Sequence, residues 1–163
     1  MRAIVLATLA LVALAHQTSQ VEFGRYRGTL TTSAPRQLGG RVFYTRCGDG
    51  LGISFSDTLS PGLSMTFMTR VSTLRLGRYR ARPLNFHTPV LPSPTDTNLS
   101  GFFNLFIRRD TAFFADSGSL HLTRIAGNEL EGRFYYHASA LGASPGVTIR
   151  GAFRARDKSE QCP

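Results

Sequence analysis

The stretch Gly118–Arg156, GSLHLTRIAGNELEGRFYYHASALGASPGVTIRGAFRAR, decides the fold, because its strand pairing can be read from the residues themselves. Leu130, Gly132, Phe134, Tyr136 and Ala138 alternate with Glu131, Arg133, Tyr135, His137 and Ser139. Further on, Val147, Ile149, Gly151, Phe153 and Ala155 alternate with Thr148, Arg150, Ala152, Arg154 and Arg156. A period of two over that length marks strands with one face in a core and the other in water. Setting apolar residues against apolar residues fixes the register. Ala138 then faces Val147, Tyr136 faces Ile149, Phe134 faces Gly151 and Gly132 faces Phe153, so each glycine lies beneath a ring of the neighbouring strand. The polar face agrees, with Glu131 opposite Arg154, Glu129 opposite Arg156 and Tyr135 opposite Arg150. Such cross-strand pairs are worth roughly 0.2–1 kcal/mol each. A preceding strand, Ser119–Ile125, turns Leu120 and Leu122 inward and reaches this hairpin through Gly127-Asn128. A two-residue loop there would set Leu122 against Arg133. A three-residue loop pairing Ala126 with Leu130 sets Leu122 against Phe134 and is the one expected, which places Tyr135 opposite His121.

Upstream, the same alternation recurs in short runs. Glu22–Thr32 carries Tyr26 and Leu30 on one face. Leu38–Cys47 and Leu51–Asp57 form a hairpin around Gly48-Asp49-Gly50, and Leu63–Val71 and Leu74–Arg82 follow, the last with Tyr79 as its core residue. Leu99–Arg108 and Thr111–Ala115 are rich in phenylalanine and read as a buried hairpin. Before them, residues 83–98 hold Pro83, Pro89, Pro92 and Pro94 without periodicity, a loop longer than compact domains usually carry. No run of ten residues has helical periodicity. The expectation is therefore all-β, an antiparallel β-sandwich of about eight to ten strands, with a lipocalin-like barrel as the alternative.

The segments Ser117-Gly118-Ser119-Leu120, Gly127-Asn128, Gly132-Arg133-Phe134 and Val147-Thr148-Ile149-Arg150-Gly151-Ala152-Phe153 together resemble small exported bacterial β-sandwich domains of unassigned function. The resemblance covers the last third of the chain. It implies an extracytoplasmic domain and assigns no catalytic residue. The lipid-attachment cysteine of many such proteins is missing here.

Residues 1–15, MRAIVLATLALVALA, have the form of a signal peptide: one arginine, an apolar run, and Ala13-Leu14-Ala15 before His16. Thirteen apolar-run residues at about 1.5 Å each fall short of a roughly 30 Å hydrocarbon core, so cleavage rather than anchoring is expected. That leaves residues 16–163 as one domain, secreted or periplasmic and not transmembrane. In an oxidising compartment the two cysteines, Cys47 and Cys162, are expected to form a disulfide.

The net charge is +9, and of the 19 basic residues Lys158 alone is not arginine. Arg-Tyr-Arg occurs at 25–27 and again at 78–80, with Arg82 following. Arg25, Arg27, Arg78, Arg80 and Arg82 are accordingly the candidate anion-binding set, for an anionic polymer or membrane head groups. Export argues against cellular nucleic acid as the partner. Arginine spread along every strand is also what a compositional bias would give, so the decisive question is whether the two motifs converge. A second reading is a carrier of a small apolar ligand, its cavity lined by Phe102, Phe103, Phe106, Phe113, Phe134 and Phe153.

Catalytic and cofactor chemistry finds little support. Gly142-Ala143-Ser144-Pro145-Gly146 matches a nucleophile-elbow pattern, but it joins two strands, and Pro145 has no N–H to offer an oxyanion. Cys47-Gly48-Asp49-Gly50-Leu51-Gly52 lacks the lysine of a phosphate loop and the aspartate spacing of a calcium loop. His121 and His137, expected as diagonal neighbours, have no third ligand in reach. Asp49, Asp57, Asp96, Asp110 and Asp116 all read as turn residues. No catalytic residue, metal site or cofactor is expected.

Overall fold

Tyr26, Tyr79 and Phe134 each sit between arginines or tyrosines that point the other way, and in the computed structural model all three rings are buried. The model describes residues 21–83, 93, 99–108, 111–140 and 143–162. Residues 1–20, where a signal peptide is expected, most of the proline-rich segment 83–98, and Asp96 and Asp110 lie outside these. Nine strands follow one another: β1 (Arg25–Thr31), β2 (Pro35–Cys47), β3 (Gly50–Asp57), β4 (Ser64–Arg70), β5 (Gly77–Ala81), β6 (Ser100–Arg108), β7 (Thr111–Ala126), β8 (Glu129–Ala140) and β9 (Ala143–Asp157). A single 3₁₀ turn, Ser159–Gln161, comes after them. The all-β reading holds. The strand pairing closes, because β1 pairs with both β2 and β9, so what would be two layers of a sandwich belong to one continuous barrel sheet.

The order around the sheet is β1-β2-β3-β4-β6-β5-β7-β8-β9. One strand is out of sequence. β5 wedges between β6 and β7, pairing parallel with β6 at Arg80–Ser100 and antiparallel with β7 from Gly77–Leu122 to Arg80–Ser119. Farther along, β6 and β7 pair directly, as their expected hairpin requires.

The closing hairpin has the expected register at every pair: Ala138–Val147, Tyr136–Ile149, Phe134–Gly151, Gly132–Phe153, Glu131–Arg154 and Glu129–Arg156. Space explains the glycines. A Cβ at Gly132 would lie 2.8 Å from the Phe153 ring, and one at Gly151 would lie 2.6 Å from the Phe134 ring and 2.4 Å from the Arg27 carbonyl oxygen.

The preceding hairpin departs from expectation. Ala126 pairs with Glu129 across a two-residue turn, with Gly127 at φ 54° in the first central position, where type II′ turns favour glycine. Parity is restored by a β-bulge at Thr123, so Leu122 faces Gly132, Leu120 faces Phe134 and His121 faces Arg133. A bulge adds one residue to one strand, and neither the apolar alternation nor the turn sequence announces it. A second bulge, at Asp116, lets Thr111–Ala115 and Ser119–Ile125 run on as the single strand β7. Asp116 is thus a mid-strand residue rather than a turn residue.

The interior is aromatic and filled. The Phe55 ring meets Tyr26, Phe134 and Phe153 edge-on at 5.3–5.5 Å between centroids, and Phe103 stacks on Tyr136 at 4.0 Å. Asp57 stands at the turn that leaves β3, as expected. It closes β3 and is buried, where it accepts hydrogen bonds from the Tyr26 hydroxyl at 2.5 Å and from the Gly39 and Ser60 amides. Three donors around one buried carboxylate offset the loss of its hydration.

Candidate anion-binding groove

Because side chains alternate, a residue on one strand and its partners on the neighbours project from the same face. On the outer face this builds two transverse rows. The pairings Arg27–Ala152, Ala152–Arg133, Arg133–His121 and His121–Arg78 carry the first row across β1, β9, β8, β7 and β5. Thr29–Arg150, Arg150–Tyr135 and Tyr135–Ser119 carry the second row alongside it. These residues line one open depression of about 630 Å³. Gly28 and Gly151, which pair where β1 meets β9, line it as well.

The two Arg-Tyr-Arg motifs do converge here. The tyrosines are core, Tyr26 donating to Asp57 and Tyr79 to the Arg75 carbonyl oxygen at 2.9 Å, which turns the flanking arginines outward. Arg27 and Arg78 enter the groove. Arg25 lies in an adjoining depression that shares Arg27 and Gln37 with the first, Arg80 pairs with Ser119 one rung from Arg78, and Arg82 follows the end of β5. The groove also contains Arg133 and Arg150, which the candidate set omits. Both stand on the polar face of the closing hairpin in the sequence reading, but only closure of the sheet brings that face beside β1 and β5.

Arg27, Arg78, Arg133 and Arg150 are all exposed, and no carboxylate is among the described residues that line the groove. Among the described residues none of the four forms an ion pair, whereas Arg70 pairs with Asp49, and Arg124 and Arg154 pair with Glu129 and Glu131. Four like charges on neighbouring strands, with no ion-pair partner among the described residues, make this depression the candidate anion site.

The other titratable groups serve the fold. Asp116, at its bulge, accepts hydrogen bonds from His137 Nδ1 at 2.9 Å, Ser139 at 2.8 Å and Ser117 at 3.0 Å. Burial pushes its carboxyl up, but these donors together hold it below the usual range. His121 and His137 are not the expected diagonal neighbours: they face Arg133 and Ser117, and among the described residues no cluster could hold a metal ion. Of the six phenylalanines proposed to line a cavity, Phe103, Phe134 and Phe153 pack in the core against other aromatic rings, Phe102 and Phe113 are buried, and Phe106 is partly exposed, so the six do not surround one space. Cys47 and Cys162 are joined, with Cα atoms 5.6 Å apart, a pairing at home in an oxidising compartment. No family model, curated protein or solved structure matches the chain.

Proposed function

We propose that this is an exported, non-enzymatic binding module that holds an anionic polymer across the arginine groove. The observation that carries the reading is the convergence of Arg27, Arg78, Arg133 and Arg150 from four strands into one depression, with no carboxylate among its described lining residues. A groove crossing five strands suits an extended chain better than the flat surface of a bilayer. Export rests on the form of residues 1–15, and the disulfide is compatible with it.

Retention on a sulfated-polymer matrix tests the proposal. The protein should bind at low salt and elute as salt rises. The variant Arg27→Ala/Arg78→Ala/Arg133→Ala/Arg150→Ala should lose most of that retention while keeping its circular dichroism spectrum. Each phosphate-like contact removed lowers the slope of log affinity against log salt by about 0.7–0.9. Unchanged retention in the fourfold variant would place the charge elsewhere and end the reading.

A further inference from the structure

The groove offers more than charge. Arg27, Arg133 and Arg78 lie in one row, with Ala152 and His121 on the strands between them, and Arg150 stands on the intervening β9 in the second row. Charge is therefore present on β1, β9, β8 and β5, and the uncharged groups among it carry the information about the ligand.

The second row supplies such groups. Tyr135, between Arg150 and Ser119, is 54 % exposed although it sits in the groove. A tyrosine this exposed on a folded sheet offers its ring as a platform for a flat ligand surface. Around it, Thr29 and Ser119 offer hydroxyls and Gln37 an amide, groups that donate and accept as sugar hydroxyls do. Single-stranded nucleic acid is bound by stacking successive bases on several rings, and among the described lining residues the exposed rings are two, Tyr135 and the His121 imidazole.

We infer that the groove takes an acidic polysaccharide, the face of one sugar lying over Tyr135 and its carboxylate or sulfate groups on Arg133, Arg150 and Arg27. This rests on the anion-binding reading above and narrows it to one class of polymer.

Titration of the full chain without its first 15 residues, at low salt, against three probes separates the outcomes. The probes are a hyaluronate oligosaccharide, a polyphosphate of matched charge, and oligothymidylate. Hyaluronate should bind about tenfold more tightly than polyphosphate. Tyr135→Ala should weaken hyaluronate binding on the order of tenfold, the size of one lost ring stack, and Tyr135→Phe should restore it. Equal affinity for all three probes, with no effect of Tyr135→Ala, would overturn the polysaccharide inference and leave the arginine groove standing. Tightest binding to oligothymidylate would overturn it in favour of nucleic acid. Binding to none of the three would overturn the anion-binding reading itself.

Discussion

Strand β9 carries Arg150 in the groove and Arg154 near its far end, four residues or roughly 13 Å apart on the same outer face. Their surroundings are opposite. Arg154 Nε lies 2.8 Å from Glu129 and 3.3 Å from Glu131, and Arg124 reaches both carboxylates as well. The same end is braced by Tyr44 donating to Asp157 at 3.0 Å, by Ser159 donating its amide to Asp157, and by the Cys47–Cys162 disulfide. Arg150 and its groove neighbours have none of this. Glu129 and Glu131 serve Arg154 and Arg124, whereas none of the described carboxylates pairs with Arg150. Placement of these two acids, not of the bases, is what separates the two ends of β9.

The largest effect should come from the braced end. The disulfide spans 115 residues, and chain-entropy reasoning gives it an upper value of about 4–5 kcal/mol. Thermal unfolding of Cys47→Ser/Cys162→Ser should show a loss approaching that figure. A melting temperature equal to that of the parent would mean that the hydrogen bonds hold this end without it.

Glu129→Gln comes next. Its carboxylate is mostly buried and is paired twice, so the loss should be about 1–3 kcal/mol. In contrast, Arg133→Ala/Arg150→Ala should stay within about 0.5 kcal/mol of the parent, since exposed unpaired side chains contribute little to stability. Comparable losses from both changes, read by urea denaturation, would erase the distinction between the two regions.

Acid should act on the braced end as well. The Arg154 guanidinium holds the Glu129 carboxyl below its ordinary value, and Asp157 is also lowered: burial pushes it up, but bonds from Ser159 and Tyr44 outweigh that. A depressed carboxyl contributes stability that is fully present above its unfolded pKa and is lost as pH falls through the folded one. Stability should therefore be level through neutral pH and fall below about pH 4. At the alkaline side, burial and the bond to Asp157 push Tyr44 up to about 12, so this link stays protonated through ordinary buffers. A loss of stability beginning near neutrality would point to histidine instead.

Much of this was legible in the residues. Two faces of Leu130–Ala138 and Val147–Arg156 demanded one register, and glycine beneath a ring left no alternative pairing as good. The disulfide followed from counting. The bulges at Thr123 and Asp116 did not show, because a bulge is decided by the neighbouring strands and by a tight turn at Gly127, not by local pattern. The groove was half legible. Arg27 and Arg78 stood out as motifs, but Arg133 and Arg150 joined them only through the β1–β9 closure and the displaced β5, both contacts between residues far apart in sequence.

The central claim is that unpaired arginines bind and paired ones brace. The most direct test is the salt dependence of hyaluronate affinity in two variants of equal charge, Arg133→Ala/Arg150→Ala and Arg70→Ala/Arg124→Ala. The first should reduce the slope of log affinity against log salt by somewhat under 2, in proportion to two lost contacts, and the second should leave the slope unchanged. If both variants lose the same amount, affinity follows net charge alone, and the groove has no special role.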